Sequence, residues 1–217
     1  MDPLRSLSIQ AMICGVLLSA VPAWATVSMD LKVGTQTLDN PLTLERSTRP
    51  RYEIAVAGTS PGNDQVEVAL AFGGCSVAHA KDVLTTYDSY GMLQDTYDDH
   101  YRMYDLRLGL RLYPISPDEF DSIHPYVGAG LGYYWLVDDW TFNHFQTTDN
   151  PYSEYEESDR GHTSISKGLF PFVVVGVDVP LSDQVGLLLE FQHDFQKLDD
   201  GADYGGSLYT LGLRLKW

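Results

Sequence analysis

The chain has 217 residues, a length that allows a single domain once an amino-terminal leader is set aside. It carries 14 Lys and Arg residues against 30 Asp and Glu residues, a formal net charge of −16. Nucleic-acid binding requires a basic surface, so this composition excludes nucleic acid as a partner. The 14 tyrosines and 4 tryptophans suit a protein that places aromatic rings at two membrane interfaces.

Residues 1–25 predict a cleaved secretory signal peptide. Arg5 supplies a positive charge, the segment 11–21 is apolar, and a small-x-small cleavage motif ends at Ala25. The apolar run is shorter than the roughly 20 residues that a membrane-spanning helix needs. We therefore expect the mature domain to comprise residues 26–217.

Alternation of apolar and polar residues predicts eight β-strands. They are placed at residues 27–33, 51–58, 65–73, 100–113, 123–137, 168–179, 185–195 and 207–217. Short turns at 59–64, 114–122 and 180–184 alternate with predicted loops at 35–50, 74–99, 138–167 and 197–204. An even number of strands, with short turns at one end and long loops at the other, is typical of outer-membrane barrels.

The last strand carries the strongest membrane signal. One of its faces consists of Tyr209, Leu211, Leu213, Leu215 and Trp217, an apolar surface that ends in an aromatic residue. In a soluble protein such an apolar edge strand would promote aggregation. A closed barrel in a membrane pairs the edge and places the apolar face against lipid.

The chain resembles the small eight-stranded outer-membrane barrels of the OmpA and OmpX kind. The resemblance rests on segments 125–133 and 176–183 and on the terminal strand 207–217. It implies an all-β, antiparallel, transmembrane up-and-down barrel in the bacterial outer membrane, surrounded by outer-membrane lipid. It also implies that the terminal strand is recognised by the barrel assembly machinery. These motifs specify a barrel and leave its activity open.

Charged residues occupy the strand faces opposite the apolar ones. The centre of the predicted interior charge network is Asp105, Arg107, Arg111, Glu190 and Arg214, and the same faces carry Asp30, Lys32, Glu53, Glu67, Asp178, Asp194 and Lys216. An eight-stranded barrel has room for side chains and little else, and buried charges must pair. We therefore expect a packed polar plug, with a gated ion path as the alternative.

The sequence predicts no catalytic, cofactor-binding or metal-binding residues, and no cofactor. The six histidines, His79, His100, His124, His144, His162 and His193, show no H-E-x-x-H or comparable metal spacing. The acidic clusters at 95–99 and 154–157 offer oxygen ligands for Ca²⁺, but no EF-hand pattern accompanies them. Solvated acidic loops are the expected structure there.

His193 has the outward parity of Phe191. It resembles in position the catalytic histidine of the lipid A deacylase barrels, which is followed by x-Ser-Asn. Here Asp194, Phe195 and Gln196 follow, so the nucleophilic serine is missing. We expect no enzymatic activity. Two alternatives stay open: a lipid-modifying barrel enzyme, and a secreted, soluble, lipocalin-like barrel whose apolar faces point inward.

The expected function is a non-enzymatic outer-membrane barrel with a structural or surface-interaction role. The long connections are acidic and rich in tyrosine, a composition that attracts cations or a basic partner. We expect the segment 138–167 to be the main contact. The rings expected at the membrane interfaces are Tyr101, Tyr104, Tyr113, Tyr133, Trp135, Tyr209 and Trp217.

Overall fold

The computed structural model describes residues 26–39, 45–60, 62–88, 91–115, 123–148, 155–195 and 205–217. The predicted signal peptide, residues 1–25, lies outside the described residues and stays a prediction. The described part of the chain contains no helix that is long and apolar enough to cross a bilayer.

The described residues form eight antiparallel strands, and each strand pairs with the next one along the chain. They are β1 (Thr26–Asp39), β2 (Arg46–Ser60), β3 (Asn63–Asp88), β4 (Gly91–Leu112), β5 (His124–Thr148), β6 (Tyr155–Pro180), β7 (Val185–Asp194) and β8 (Gly206–Lys216). β1 also pairs with β8, from Ser28 opposite Lys216 to Gln36 opposite Leu208, which closes the barrel. The predicted all-β, eight-stranded up-and-down barrel is confirmed.

The connections at one end of the barrel are short. β2 and β3 reverse between Ser60 and Asn63, where Gly62 adopts a φ of 81° that other residues rarely reach. β6 and β7 reverse over residues 181–184, and the chain end at Trp217 lies at the same end of the barrel, paired with Val27. In outer-membrane barrels the end with the short turns faces the periplasm.

Three segments predicted as loops lie largely in strands. Within the predicted loop 35–50, residues 35–39 belong to β1 and residues 46–50 belong to β2. Residues 74–88 and 91–99 form the outer parts of β3 and β4, which stay paired as far as Asp88 opposite Gly91. Residues 138–148 and 155–167 form the outer parts of β5 and β6, which stay paired as far as Gln146 opposite Tyr155. The alternation signal is missing because polar side chains occupy both faces of these segments, as in Asp98 beside Asp99.

These four outer segments make a single sheet, because β4 and β5 also pair along their whole length, up to Gly91 opposite Thr148. The pairing of β2 with β3 ends at Cys75, and that of β6 with β7 ends at Phe172. Among the described residues, the sheet therefore continues beyond the barrel with two open edges. We call residues 76–88, 91–103, 136–148 and 155–167 the extended sheet.

The barrel is apolar outside and charged inside. On β4, Leu108, Leu110 and Leu112 are 49–56% exposed, whereas Arg107 and Arg111, which have the opposite parity, are at most 4% exposed. The same outward apolar surface continues around the barrel at Leu31, Val33, Ile54, Val127, Leu131, Val173, Val175, Leu189, Leu211 and Leu213. A lipocalin has the opposite arrangement, so the lipocalin alternative is wrong. A belt of this kind is solvated by lipid in an outer-membrane barrel.

Aromatic rings mark the end of the apolar belt next to the extended sheet. On the outer surface the rings of Phe72, Tyr104 and Trp135 lie with centroids 6.0–6.3 Å apart. Tyr113, predicted to lie at an interface, is instead 2% exposed inside the barrel, where Arg214 donates a hydrogen bond to its hydroxyl. Tyr113 follows the buried Arg111 by two residues and therefore points to the same, inward face.

The orientation of the apolar belt can be tested at Leu108, near the middle of the β4 belt. We expect Leu108→Arg to lower the free energy of unfolding in lipid vesicles by about 2–4 kcal/mol, because the charge must enter the bilayer. The control is Val83→Arg, at a similarly exposed position of the extended sheet. It should change that free energy by less than about 0.5 kcal/mol, as exposed substitutions in water do. If urea titrations gave equal losses of unfolding free energy for the two variants, Leu108 would not face lipid.

Candidate functional site

The barrel interior holds a continuous network of ion pairs. Lys216 joins the network at the rim of the barrel through Asp178. The buried members among the described residues are seven acidic and five basic side chains, namely Asp30, Glu53, Glu67, Asp105, Asp178, Glu190 and Asp194, with Lys32, Arg51, Arg107, Arg111 and Arg214. The near balance of the two signs matters because an unpaired charge in this environment would cost several kcal/mol, on the order of 3–5.

Near the short turns, Arg214 is the centre of the network. Its guanidinium lies 2.8 Å from Asp30, 3.0 Å from Glu67 and 3.1 Å from Asp178. Arg111 shares two of these carboxylates, at 3.0 Å from Asp30 and 2.6 Å from Glu67. Two guanidinium groups from different strands are thus held side by side by the acids between them.

Glu190 and Lys32 connect this cluster to the middle of the barrel. Glu190 lies 2.7 Å from Arg111 and 2.6 Å from Lys32. Lys32 also lies 2.7 Å from Glu53. Tyr126 donates a short hydrogen bond from its hydroxyl to Glu190. Charges of alternating sign therefore follow one another along the barrel axis.

Towards the extended sheet the network ends in two arginines. Arg107 lies 3.1 Å from Glu53, 3.1 Å from Asp105 and 2.8 Å from Asp194. Arg51 donates two hydrogen bonds to Asp105, at 2.6 and 2.7 Å. Such a bidentate pair fixes both side chains in one orientation.

The structure places all five residues at the centre of the predicted network inside the barrel. Asp105 pairs with Arg107, Arg111 pairs with Glu190, and Arg214 reaches Arg111 through shared acids. One further member, Arg51, is fully buried and is not among the residues predicted from the sequence. Arg51 is two residues before Glu53 and therefore points to the same, inward face of β2. The alternation pattern is sufficient to predict this position.

The interior leaves little free space. A cavity of about 30 Å³ lies among Lys32, Glu53, Arg107, Arg111 and Glu190. It can hold only about two or three water molecules, since a water needs roughly 10–15 Å³ of such volume. Above the network the interior becomes apolar, with Leu38, Val77, Met103 and Leu136 each at most 1% exposed. This packing is that of a plug.

A row of glycines on β5 makes room for aromatic side chains in the plug. A Cβ atom at Gly132 would overlap the ring of Phe170 from β6. The guanidinium carbon of Arg107 lies 5.6 Å from the centroid of that ring, a cation–π distance. The glycine row of segment 125–133 is therefore explained by close approach of β6 inside the barrel.

The extended sheet is acidic and carries several histidine–carboxylate contacts. Its four segments contain ten acidic residues and four basic ones. Two of the contacts are His144 to Asp95 at 2.7 Å and His162 to Asp139 at 2.6 Å. Arg102 lies 2.9 Å from Asp139, so one basic residue is already engaged within the sheet.

A third contact joins three residues. His79 and His100 lie 2.8 and 3.1 Å from the same oxygen of Asp98, and the two imidazole rings stack with centroids 4.2 Å apart. The hydrogen bond from His79, with the nearby imidazoles, lowers the pKa of the Asp98 carboxyl below its usual value. The sequence spacing predicts no metal-ligating role for these histidines, because they are adjacent only across strands.

The pKa of Asp138, also in the extended sheet, is raised above its usual value. Partial burial is the main cause, and the neighbouring carboxylates of Asp99 and Asp139 add to it. Like charges this close disfavour ionisation of each other. The acidic sheet therefore has sites where a cation would relieve repulsion.

His193 lies on the outer surface of β7, opposite Ser207 of β8 in the sheet register. Among the described residues its ring contact is with Phe195, at 4.8 Å between centroids in an edge-on arrangement. Neither a hydroxyl nor a carboxylate of the described residues is within hydrogen-bonding distance of its ring. The geometry of an activated nucleophile needs such contacts.

Comparison with known proteins identifies the fold. No family model matches the chain, and no curated protein sequence matches it. Among solved structures, Neisserial surface protein A aligns with a TM-score of 0.54 and 11% identity, over 88% of this chain and 96% of that one. The N-terminal β-barrel domain of Pseudomonas aeruginosa OprF aligns with a TM-score of 0.47 and 13% identity, over 89% and 98%. A major outer membrane protein from Thermus thermophilus gives 0.49 and 14%, over 88% and 99%.

Of these three alignments, the one with Neisserial surface protein A supports the assignment of the fold. At such low identity the likeness to Neisserial surface protein A shows the fold alone. Together with the outward apolar belt and the charged interior, it defines the chain as a small eight-stranded outer-membrane β-barrel.

The interior network can be tested at Arg51. We expect Arg51→Met to lower the free energy of unfolding by about 3–5 kcal/mol, because it leaves part of the buried carboxylate set without its cation. Arg49→Met is the matched control on the same strand. The Arg49 guanidinium donates to the Ser47 hydroxyl at 3.2 Å and is only partly buried, so its loss should cost no more than about 1 kcal/mol. Similar losses for both variants in urea titrations would show that the network is not stabilising.

Proposed function

We propose that the protein is a non-enzymatic outer-membrane barrel that presents the extended sheet at the cell surface to bind a basic partner. The observation that carries the proposal is the extended sheet itself, a rigid paired structure with ten acidic and four basic residues. A negative field of this kind attracts cations and accelerates association with basic proteins.

The plugged interior supports a surface role over transport. The alternating charges are satisfied by one another, and the cavity of about 30 Å³ among them is smaller than a hydrated ion path needs. A gated ion path would require many of these ion pairs to break together. The proposal therefore places the activity outside the barrel.

The β5–β6 hairpin, over residues 138–167, is the proposed main contact. Glu156, Glu157 and Asp159 are exposed on β6. Along this part β6 pairs with β5 only, among the described residues, so its other edge offers free backbone groups. An open strand edge flanked by carboxylates suits an extended, basic segment of a partner protein.

The surroundings of His193 do not favour the lipid-modifying alternative. Its contact with Phe195 and the apolar belt around it describe an interfacial histidine. A deacylase would need an activated nucleophile beside it, and the residue two positions on is Phe195.

Truncation of the β5–β6 hairpin tests the proposed contact. Residues 144–157 would be removed and Asn143 joined to its partner Ser158 by Asn-Gly, a sequence that favours a tight hairpin turn. The control removes residues 84–95 and joins Val83 to Thr96 in the same way. Heat-modifiable migration on SDS gels checks that both barrels fold.

The probe is a lysine-rich peptide applied to the protein in lipid vesicles at low ionic strength. We expect the intact chain and the 84–95 truncation to bind it, and the 144–157 truncation to lose most of the binding. Glu156→Gln combined with Glu157→Gln should weaken binding and reduce its dependence on salt, because fewer charges take part. Unchanged binding after removal of residues 144–157 would show that this hairpin is only a solvated segment and does not contact the partner.

A further inference from the structure

We propose that His79, Asp98 and His100 form a binding site for a divalent transition-metal ion of the Zn²⁺ class on the outward face of the extended sheet. The site lies in the β3–β4 hairpin and not in the 138–167 segment, so it stands independently of the proposed partner contact.

The sheet register brings the three side chains together. His79 and His100 are directly opposite each other, each nine residues from the pair Asp88–Gly91 at the hairpin tip. Directly opposite residues in an antiparallel pair project to the same face, and Asp98, two residues from His100, shares that face. Two hydrogen-bonded strands therefore hold all three ligands, which limits the freedom that metal binding would have to remove.

The donor atoms already converge. The Nε2 atoms of His79 and His100 lie 2.8 and 3.1 Å from Oδ1 of Asp98, and all three ligand atoms are within 4.8 Å of one another. Zinc binds nitrogen and oxygen at about 2.0–2.2 Å, so ligand atoms in a tetrahedral site are about 3.4 Å apart. Small movements of the side chains would admit the ion between them.

The ligand chemistry selects the class of metal. Two imidazoles and one carboxylate suit Zn²⁺, Cu²⁺ or Ni²⁺, whereas Ca²⁺ requires six to eight oxygen ligands. The side chains of His79 and His100 are 51% and 43% exposed, which leaves the outer side of the site open to water. A water molecule can supply the fourth ligand.

Neighbouring charged side chains do not occupy the three proposed ligands, His79, Asp98 and His100, so these stay available to bind a metal ion. Lys81 lies opposite Asp98 in the register, but the ion pairs that Asp98 makes within the described residues are with the two histidines. The next carboxylate on this face, Asp139, is held by Arg102 at 2.9 Å and His162 at 2.6 Å. It forms a separate cluster, which supplies a control.

The site lies beyond the membrane belt. His100 lies four positions along β4 from Tyr104, whose ring packs in the aromatic group at the end of the belt. Four residues of strand span about 13 Å. An ion can therefore reach the site directly from the aqueous phase.

The test uses the full mature chain without a histidine tag, folded in detergent micelles. Zn²⁺ affinity is measured by competition with a chromophoric chelator at fixed pH. The variants are His79→Gln, His100→Gln and the double variant, with His162→Gln as the matched control on the same face. Heat-modifiable migration on SDS gels confirms that each variant is folded.

We expect the unaltered chain and His162→Gln to bind one Zn²⁺ with equal affinity. Each single change in the triad should weaken binding by at least about tenfold, the size of loss usual for groups that support a metal site, and the double variant should not bind. The proposal is overturned if the unaltered chain does not bind Zn²⁺. It is overturned equally if the triad variants bind as tightly as the unaltered chain, or if His162→Gln alone abolishes binding.

Discussion

The need to pair every buried charge is the constraint on which this barrel depends. Lipid outside requires apolar side chains on one face of every strand, and a barrel of eight strands is too narrow to let bulk water reach the other face. Charges placed there are stable only if opposite charges and hydrogen-bond donors meet them. Each carboxylate of the network accordingly touches a cation from another strand, as Asp30 of β1 touches Arg214 of β8 and Arg111 of β4.

The same constraint fixes the register of the strands. Asp105 of β4 meets the Arg51 guanidinium of β2 in a bidentate pair, although β3 lies between these strands. A slip of one residue in β2 or β4 would turn one of the two side chains towards lipid, because successive residues point to opposite faces. Apolar alternation alone would tolerate a slip of two residues, since every other residue has the same parity. The ion pairs across the interior would not.

Where the lipid ends, the alternation of apolar and polar residues stops, but the pairing of the strands continues. Within the belt the alternation on β4 is strict, and it led directly to the strand, its parity and the inward placement of Arg107 and Arg111. Beyond Tyr101 both faces of the sheet are partly or fully exposed, so residues such as Asp98 and Asp99 can follow one another on opposite faces. The sequence therefore predicts loops for the outer halves of β3 to β6, because two paired strands that are polar on both faces show no alternation of apolar and polar residues.

The parts of the site that could be predicted are those set by parity along one strand. The charges of the interior belong to this group, and Arg51 also belongs to it by its spacing from Glu53. Contacts set by register between strands could not be predicted from spacing. His79 and His100 become neighbours only once the hairpin tip between Asp88 and Gly91 is known, because one shift of the tip would move each histidine opposite another residue.

This difference has a consequence for how the surface evolves a binding function. Inside the barrel, a new charge must arrive together with a partner, or it costs about 3–5 kcal/mol. On the part of the extended sheet beyond Tyr101, side chains are partly or fully exposed and a single substitution is nearly neutral, as exposed substitutions usually are. Backbone pairing holds them in fixed rows all the same, so that His79, His100 and Asp139 occupy adjacent positions across three strands. The ion-paired barrel supplies the rigid base, and the polar sheet above it supplies positions at which ligands can be arranged without loss of the fold.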